Sequence, residues 1–391
     1  MALSDLPKLD AQQKIVSEQL VERIRTQIGS AGPMPFSEYM HRCLYEEELG
    51  YYVNGFSKLG KHGDFITAPE ISSDFAQCIA RQFEQVATDI ACASVLEFGG
   101  GSGRLAADVL LALSASGQLP ETYCILDISP DLRHAQSQLL KSELPPEIYD
   151  RVCWLKSLPQ NFNGLIIANE VFDAFAVERF RLCNGEAQRL MVDYSDTRLS
   201  LCTVSDSDTQ FQVSEISSDA GVEFAEGYSS EYCPLLKPWW MSLSEVLNTG
   251  AILVCDYGSE RKRYYSVQNS SGTLRCFFRH RVHNDPFLYP AVQDITADVD
   301  FTAVAIAATD AGFELQGFTP LSQFMLSLGA LERHEEQIRS LDQRDRIEAT
   351  GSLKRVLMTQ EMGDRFMVIG FSKNLHAPLN GFSRADWSRL L

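Results

Sequence analysis

Several patterns that define common protein classes are missing from this chain of 391 residues. Its 10 cysteines include no C-x-x-C pair, which argues against a zinc ribbon or a thioredoxin-like redox site and suits a reducing compartment. No apolar run reaches the roughly 18 residues of a membrane-spanning helix, so we predict no membrane span. Internal repeats and low-complexity segments are also missing, and nothing therefore indicates a repeat architecture.

Basic residues are scarce as well, because 34 Lys and Arg stand against 52 Asp and Glu and give a net charge of -18. Nucleic acids are bound mainly through basic side chains, so we predict no nucleic-acid partner. An acidic surface favours a basic partner, such as a protein segment with arginine or lysine, although it can also serve solubility alone. Residues 1–10 contain acids and no arginine, and without a signal-peptide pattern we expect a cytoplasmic protein.

The most informative stretch is 94–103, with the sequence SVLEFGGGSG. A buried strand is predicted at 95–98, with Glu97 close to its end. The turn that follows holds closely spaced glycines, which are Gly99, Gly100, Gly101 and Gly103. Glycine lets a backbone turn sharply and approach a ligand without a Cβ clash. A strand, a glycine turn and a helix in this order are typical of a nucleotide-binding crossover.

The spacing of the glycines distinguishes between nucleotide cofactors. A dinucleotide fingerprint, G-x-G-x-x-G, would need its last glycine where Arg104 stands, which disfavours a dehydrogenase. No Gly-Lys-Ser/Thr follows, which excludes a P-loop. The observed G-x-G-x-G, preceded by Glu97, is similar to the first motif of class I S-adenosyl-L-methionine (AdoMet) methyltransferases. The alternative is a glycine-rich turn that binds no ligand.

A second strand, predicted at 123–127, ends in Asp127. An acid about 20 residues beyond the glycine loop, at a strand end, can accept hydrogen bonds from ribose hydroxyls. Ser129 or Asp131 could cap the following helix, with Pro130 in its first turn, and both roles can coexist. We therefore predict that the AdoMet-binding residues include Glu97, Gly99, Gly101, Gly103 and Asp127.

The polar run at 60–72, just ahead of the glycine motif, is a further candidate for the cofactor site. It is dense in turn-forming residues, and loops of this kind often close over a ligand. We predict this role for Gly63, Asp64 and Thr67. A plain surface loop would have the same composition.

Polar residues that follow a fourth predicted strand, at 165–168, are candidates for the substrate side. They are Asn169, Glu170 and Asp173. In open α/β sheets, ligands lie beyond the carboxyl ends of the strands. Capping of the next helix or a structural ion pair is the alternative for the two acids.

Strands that alternate with helices predict an α/β fold with a parallel sheet and right-handed crossovers. An Asn-Gly hairpin is predicted at 179–192, strand-like residues continue through 197–212, and one long helical stretch covers 321–347. The predicted regions are an N-terminal helical and cofactor-closing part at 1–90, a Rossmann-like core at 91–178 and 245–319 with an irregular segment at 261–300, a β-rich insertion at 179–244, a helical insertion at 320–363 and a last core strand with the tail at 364–391. The β-rich insertion could form a homodimer interface or dock a partner.

Taken together, these residues resemble the MidA-like family of AdoMet-dependent methyltransferases, which includes a mitochondrial assembly factor for respiratory complex I. The matches, in order over roughly 33–373, include Gly50-Tyr51-Tyr52, the run from Gly63 to Ser72, the glycine loop, Asn169-Glu170, Phe172-Asp173-Ala174, Asp256-Tyr257-Gly258, Gly272-Thr273-Leu274-Arg275, His280 and Asp294-Ile295-Thr296. Asp127 replaces a glutamate that is common in the family, and Ala291 stands where the family usually has glycine.

The resemblance implies a class I, Rossmann-like fold with a seven-stranded sheet, one strand of which runs antiparallel, and with additional substrate-side elements. It also implies protein arginine methylation, since mitochondrial members modify an arginine of a complex I subunit in the mitochondrial matrix. The closer likeness to bacterial members implies the cytoplasm here. A non-catalytic AdoMet-binding assembly protein or scaffold and a small-molecule methyltransferase remain the alternatives.

If the acceptor is an arginine, its guanidinium is positively charged and needs carboxylates that localise the charge and accept a proton. Glu170 and Asp173 suit this task, and Asn169 is weakly similar to the first residue of the N-P-P-Tyr motif of amino-group methyltransferases. We expect His280 to be a substrate-side or structural residue. His280 and His283 lack further ligands at metal-binding spacing, so no metal is predicted.

Overall fold

The computed structural model describes residues 6–56, 68–358 and 363–391. Gly63, Asp64 and Thr67, which we predicted to close over the cofactor, lie outside the described residues. The helices are α1 (Ala11–Ala31), α2 (Phe36–Tyr45), α3 (Ala68–Ile71), α4 (Ser73–Thr88), α5 (Arg104–Ser116), α6 (Pro130–Glu143), α7 (Pro146–Tyr149), α8 (Ser207–Ala220), α9 (Leu236–Val246), α10 (Arg261–Tyr264), α11 (Phe301–Asp310), α12 (Leu321–Ser327), α13 (Ala330–Ile338) and α14 (Gln343–Leu357).

The strands are β1 (Met34–Pro35), β2 (Ser94–Phe98), β3 (Tyr123–Leu126), β4 (Val152–Leu155), β5 (Phe162–Asn169), β6 (Glu178–Cys183), β7 (Glu186–Ser195), β8 (Arg198–Ser205), β9 (Ser229–Tyr232), β10 (Leu247–Ser259), β11 (Arg275–Phe278), β12 (Arg281–His283), β13 (Asp294–Thr296), β14 (Val299–Asp300), β15 (Glu314–Pro320) and β16 (Phe366–Lys373). Within the described ranges, no helix is both long enough and apolar enough to cross a bilayer.

The chain forms two compact units. Unit 1 consists of Met1–Phe65, Asp173–Leu236 and Ser259–Ala303, and unit 2 consists of Ile66–Phe172, Lys237–Gly258 and Val304–Leu391. Each unit is therefore assembled from three separate segments of the chain.

Unit 2 is built on a sheet whose strands run in the order β15-β16-β10-β5-β2-β3-β4. Neighbours from β10 to β4 are parallel, whereas β16 is antiparallel to both β10 and β15. The expected parallel sheet with one antiparallel strand is thus found. The central strands β2, β5, β10 and β16 are mostly apolar and buried on both faces, as is typical of strands covered by helices.

Helix boundaries in unit 2 follow from local chemistry. The hydroxyl of Ser72 accepts from the N–H of Asp74 at the start of α4, and Gly117 ends α5 in a left-handed conformation. The long helical stretch that we predicted at 321–347 is instead divided among α12, α13 and α14. Gly329, with φ +75°, separates the first two of these helices, because a left-handed residue cannot continue a right-handed helix.

Unit 1 contains antiparallel sheets, one with the order β1-β7-β6-β9 and with β8 beside β7, and another with the order β12-β11-β13. The predicted Asn-Gly hairpin is confirmed, because Asn184 and Gly185 both have positive φ between β6 and β7. The strand-like prediction at 197–212 is wrong beyond Ser205. There Asp206 caps α8 by accepting from the N–H of Thr209 at 3.0 Å.

Candidate cofactor and active site

Three neighbouring strands of unit 2 end at the same level of the sheet. Phe98 at the end of β2 is in register with Leu126 of β3 on one side and with Ala168 of β5 on the other. The glycine loop follows β2, Asp127 follows β3, and Asn169 is the last residue of β5. Parallel pairing therefore brings together three segments that lie far apart in the sequence.

The glycine loop turns through three left-handed residues, with φ of +62° at Gly99, +53° at Gly101 and +89° at Gly103. Such angles are costly for residues that carry a Cβ. Gly99 is exposed and Gly101 is half-buried, so the loop presents backbone toward solvent. A Cβ at Gly99 would lie 3.4 Å from Val171 Cγ2. The loop therefore lies beside the segment that follows β5.

Two glycines of the loop are also required by packing inside the protein. A Cβ at Gly100 would come within 2.7 Å of Ile125 Cγ2, and a Cβ at Gly103 would lie 3.2 Å from Gln136 Cα. From the sequence, the absence of a Cβ at these positions is explained by close approach to a ligand. At Gly100 and Gly103 the nearest obstacle is the protein itself.

Asp127 lies at the carboxyl end of β3 and is only 7% exposed. Its Oδ1 accepts from the N–H of Ser129 at 2.9 Å, and its Oδ2 accepts from Gln136 Nε2 at 2.8 Å. Burial raises the pKa of Asp127, while these two donors lower it. Each carboxylate oxygen can accept about two hydrogen bonds, so Asp127 retains acceptor capacity for a ligand. Ser129 caps α6, as predicted, with Pro130 in the first turn.

Glu97 is buried within β2, where its Oε2 accepts from Tyr123 Oη at 2.8 Å. Burial raises the pKa of Glu97 to about 7, although the tyrosine hydrogen bond opposes this shift. The carboxyl group can therefore change charge near neutral pH. A positively charged ligand group beside it would favour the ionised form.

Gln136 on α6 was missed by the sequence analysis. Its Nε2 donates to Gly101 O at 3.0 Å as well as to Asp127, and its Oε1 accepts from Trp154 Nε1 at 2.9 Å. The side chain is fully buried. A single glutamine in an amphipathic helix gives no signal in the sequence, because surface helices commonly carry such residues.

Asn169 ends β5, and Glu170 begins the turn that follows. The two side chains are in contact, because Asn169 Nδ2 lies 3.4 Å from Glu170 Oε1. Glu170 has a left-handed backbone with φ +53°, a conformation that glutamate seldom adopts and that clusters at functional sites. Asn169 Oδ1 is buried and lacks a hydrogen-bond partner among the described residues. A buried acceptor of this kind is suited to a ligand donor.

The fully buried carboxylate of Asp256 holds this turn in place. Its Oδ2 accepts from the N–H of Val171 at 3.1 Å and from that of Phe172 at 2.9 Å. The N–H of Glu170 donates to Cys255 O at 2.9 Å. These contacts fix the strained conformation of Glu170, and they give Asp256 a structural task that its position in a family motif alone did not reveal.

The described end of the polar run at 60–72 contacts the glycine loop. Glu70 in α3 accepts a hydrogen bond from Ser102 Oγ, and the same hydroxyl accepts from the N–H of Arg104 at 3.2 Å. The prediction that this run closes over the cofactor otherwise depends on Gly63, Asp64 and Thr67.

Asp173 belongs to unit 1, where it is 8% exposed and its carbonyl oxygen accepts from the N–H of Ala297 at 3.0 Å. In the same unit, Tyr52 Oη donates to Asp294 Oδ1 at 3.2 Å. Burial raises the pKa of Tyr52, and the negative charges of Asp294 and Asp173 raise it further. Asp173 therefore lies in an acidic, aromatic part of unit 1.

His280 also belongs to unit 1, at the two-residue turn between β11 and β12. It is exposed, and both Arg279 and His280 have positive φ, as a tight hairpin turn requires. Its proposed place on the substrate side remains a prediction. Among the described residues, no group of three His, Cys, Asp or Glu side chains is arranged to hold a metal ion.

The chain matches the profile of a family described as S-adenosyl-L-methionine-dependent methyltransferases over residues 75–319. It is 28% identical to the mitochondrial protein arginine methyltransferase NDUFAF7 homolog of Drosophila melanogaster, over 93% of this chain and 88% of that protein. It is 26% identical to the mitochondrial protein arginine methyltransferase NDUFAF7 of Danio rerio, over 90% of this chain and 86% of that protein.

A crystal structure of a Burkholderia thailandensis protein bound to S-adenosyl-homocysteine is similar to this chain, with a TM-score of 0.92. The two are 35% identical, and the match covers 99% of this chain and 100% of that one. This likeness confirms the predicted class I, Rossmann-like α/β fold.

Proposed function

Because this chain belongs to the family of S-adenosyl-L-methionine-dependent methyltransferases, we propose that it methylates arginine side chains of a protein partner. The chain is an AdoMet-dependent methyltransferase, and its cofactor is AdoMet. The arginine acceptor is the proposed part. It is supported by the two relatives, which are named protein arginine methyltransferases and align over nearly the whole chain.

We propose that the cofactor is held by the strand-end residues of unit 2. The accessible backbone at Gly99 and Gly101 would line the cofactor, and the turn at Gly103 would lead into α5. The remaining acceptor capacity of Asp127 fits the two hydroxyls of a ribose, and Glu97 fits either the loop or a positively charged ammonium group. The predicted contribution of Gly63, Asp64 and Thr67 belongs to the same proposal.

When bound, AdoMet supplies a methyl group on a positively charged sulfonium, which is already an activated leaving group. The task of the protein is then to align the acceptor and exclude water, and alignment can contribute about 7–11 kcal/mol to lowering a barrier. A turn that is fixed by buried hydrogen bonds suits this task, because a fixed side chain does not have to be ordered during the reaction.

The observation that carries the arginine proposal is the left-handed conformation of Glu170, held by Asp256 next to the glycine loop. A carboxylate at this position can bind the guanidinium and draw its positive charge toward the far nitrogens, which leaves electron density on the nitrogen to be methylated. It can also accept the proton that the nitrogen loses. We propose that Asn169 orients the acceptor through its buried Oδ1. The roles of Asp173 as a second carboxylate and of His280 as a substrate-side residue remain predictions from the sequence.

The test is methyl transfer from radiolabelled AdoMet to proteins of a lysate from cells that lack this chain. We expect label in methylarginines after acid hydrolysis. Glu170→Gln should bind S-adenosylhomocysteine (SAH) with wild-type affinity while the rate of transfer falls about 10²–10⁴-fold, the range for loss of an acid–base group. The matched control is Glu121→Gln, which alters an exposed acid of the same unit and should leave the rate unchanged.

Label in lysine or in a small molecule would overturn the arginine assignment. Full activity of Glu170→Gln would overturn its assigned role. SAH binding without transfer to any protein or small molecule would favour the scaffold alternative.

A further inference from the structure

We infer that Gln136 is a positioning residue of the cofactor site, because its side-chain amide fixes both the glycine loop and Asp127 in the arrangement that receives AdoMet. This inference rests on the proposed assignment of the loop and Asp127 to the cofactor. It does not depend on which acceptor is methylated.

The hydrogen bonds of Gln136 determine how its amide is oriented. The indole N–H of Trp154 can only donate, so the oxygen of Gln136 must face it, at 2.9 Å. The amide nitrogen then faces two acceptors, Gly101 O at 3.0 Å and Asp127 Oδ2 at 2.8 Å. Its two N–H groups match these two acceptors. One fully buried side chain thus joins β4, the glycine loop and the end of β3.

The carbon atoms of Gln136 also pack against the glycine loop. A Cβ at Gly103 would lie 3.2 Å from Gln136 Cα and 3.4 Å from its Cβ and Cγ. A Cβ at Gly100 would lie 3.1 Å from its Nε2. The glycines therefore let the loop pack directly on this side chain.

Gln136 also acts on the charge of Asp127. Burial raises the pKa of this carboxyl group, whereas the Gln136 N–H, the Ser129 N–H and the positive charge of Arg133 lower it. Glu97 is the other acid whose charge is coupled to Asp127. Loss of the Gln136 donor should raise the pKa of Asp127, so that protonation removes acceptor capacity from the site at a higher pH.

The test measures SAH affinity by calorimetric titration from pH 4.5 to pH 8, with wild type and two variants. Gln136→Leu keeps much of the volume but no donor, so SAH should bind about tenfold more weakly or worse, since hydrogen bonds to charged groups matter most. Its affinity relative to wild type should fall further as the pH drops. Gln136→Glu places a second carboxyl group beside Asp127, and only its protonated form can donate. Its affinity should therefore recover as the pH drops.

The pH trend of Gln136→Leu is the decisive measurement. A purely structural role for Gln136 would make the affinity of this variant relative to wild type independent of pH, whereas loss of the donor to Asp127 makes it fall as the pH drops. Titration of Glu97 is common to all the proteins and cancels in the ratio to wild type. Gln138→Leu, an exposed glutamine on the same helix, is the matched control and should bind SAH normally.

Folding of each variant is checked by its circular dichroism spectrum and melting temperature. A folded Gln136→Leu protein with wild-type affinity for SAH would overturn the inference, and so would an affinity relative to wild type that does not change with pH. Failure of the arginine assignment would leave these titrations unchanged, since they involve no methyl acceptor.

Discussion

Asp127 in unit 2 and Glu231 in unit 1 are both buried acids, but their surroundings differ. Glu231 Oε1 accepts from Thr273 Oγ1 at 2.6 Å, and its Oε2 lies 3.9 Å from the guanidinium of Arg179 on the neighbouring strand. A Cβ at Gly272 would lie 2.3 Å from Glu231 Oε2, so glycine at this position makes room for the acid.

Asp127 instead receives donors from α6 and its N-terminal turn and stands at a strand end beside a glycine loop that is partly exposed. Burial and a nearby glycine therefore do not identify an acid that binds a ligand. What distinguishes the two is whether the structure encloses the carboxylate or leaves acceptor capacity at an accessible edge. Four variants test this difference between the two units.

The largest effect is expected from Glu231→Ala. Removal of one partner from a buried ion pair leaves the other charge uncompensated, and this typically costs about 3–5 kcal/mol. The pair here is well buried, with side-chain exposures of 11% for Arg179 and 0% for Glu231. Urea denaturation should therefore show a loss of this size, while the folded protein binds SAH normally. A loss of less than about 1 kcal/mol would mean that the acid is not structural.

Glu97→Gln should instead increase the free energy of unfolding, and the size of the increase should depend on pH. The pKa of Glu97 is about 7 in the folded protein against 4.5 as its ordinary value, so the folded state binds this proton more tightly. The stability that this proton contributes is fully present below about pH 4.5 and is lost as the pH rises through 7. At pH 8 the variant should be more stable than wild type by up to about 3 kcal/mol, and near pH 4.5 the two should be equal.

The measurement for Glu97→Gln is urea denaturation at pH 5 and pH 8, with Glu121→Gln as an exposed control. If Glu97 serves the cofactor, SAH should bind the variant more weakly even where the variant is more stable. Equal stability of variant and wild type at pH 8 would contradict the raised pKa.

Asp127→Asn should weaken SAH binding about 30-fold, or about 2 kcal/mol, since a charged acceptor for ribose hydroxyls becomes neutral. Stability should fall by about 1–3 kcal/mol, because the new amide nitrogen would face the donor Gln136 Nε2, whereas the amide oxygen can still accept from the N–H of Ser129. Calorimetric titration of SAH is the measurement, and Asp131→Asn, which alters an exposed acid in the first turn of α6, is the control. A large stability loss with unchanged affinity would make Asp127 a structural acid like Glu231.

The parts of this site that the sequence predicted share a physical reason. Glu97, the glycines and Asp127 stand at the ends of short apolar strands, and parallel pairing brings such ends to one edge. Asn169 and Glu170 were found in the same way. Alternation of strands with helices likewise predicted the parallel strands of unit 2, and the resemblance to the methyltransferase family implied the antiparallel one.

The parts that the sequence did not predict depend on contacts between distant segments. Gln136 is recognisable only once α6 packs on the loop, and the task of Asp256 appears only once β10 lies beside β5. The start of α8 was not predicted, because the alternating polar residues suggested a strand. The side chain of Asp206 instead caps the first turn of a helix.

The smallest effect is expected at Ala291 in unit 1, where the resembling family usually has glycine. Ala291 is fully buried with φ +68°, and its carbonyl oxygen accepts from Asn54 Nδ2 at 2.6 Å. Glycine here would relieve about 1–2 kcal/mol of left-handed strain. It would also lose about 0.8 kcal/mol of methyl burial and about 0.4–1 kcal/mol through the more flexible unfolded chain.

These terms nearly cancel, so Ala291→Gly should change the unfolding free energy by less than about 0.5 kcal/mol. Ala187→Gly is the matched control, because Ala187 is equally apolar and is buried within the extended strand β7, where no left-handed strain is relieved. It should lose about 1.5 kcal/mol. Urea denaturation of both variants measures the difference, which equals the strain at Ala291. Equal losses would show that this position bears no strain.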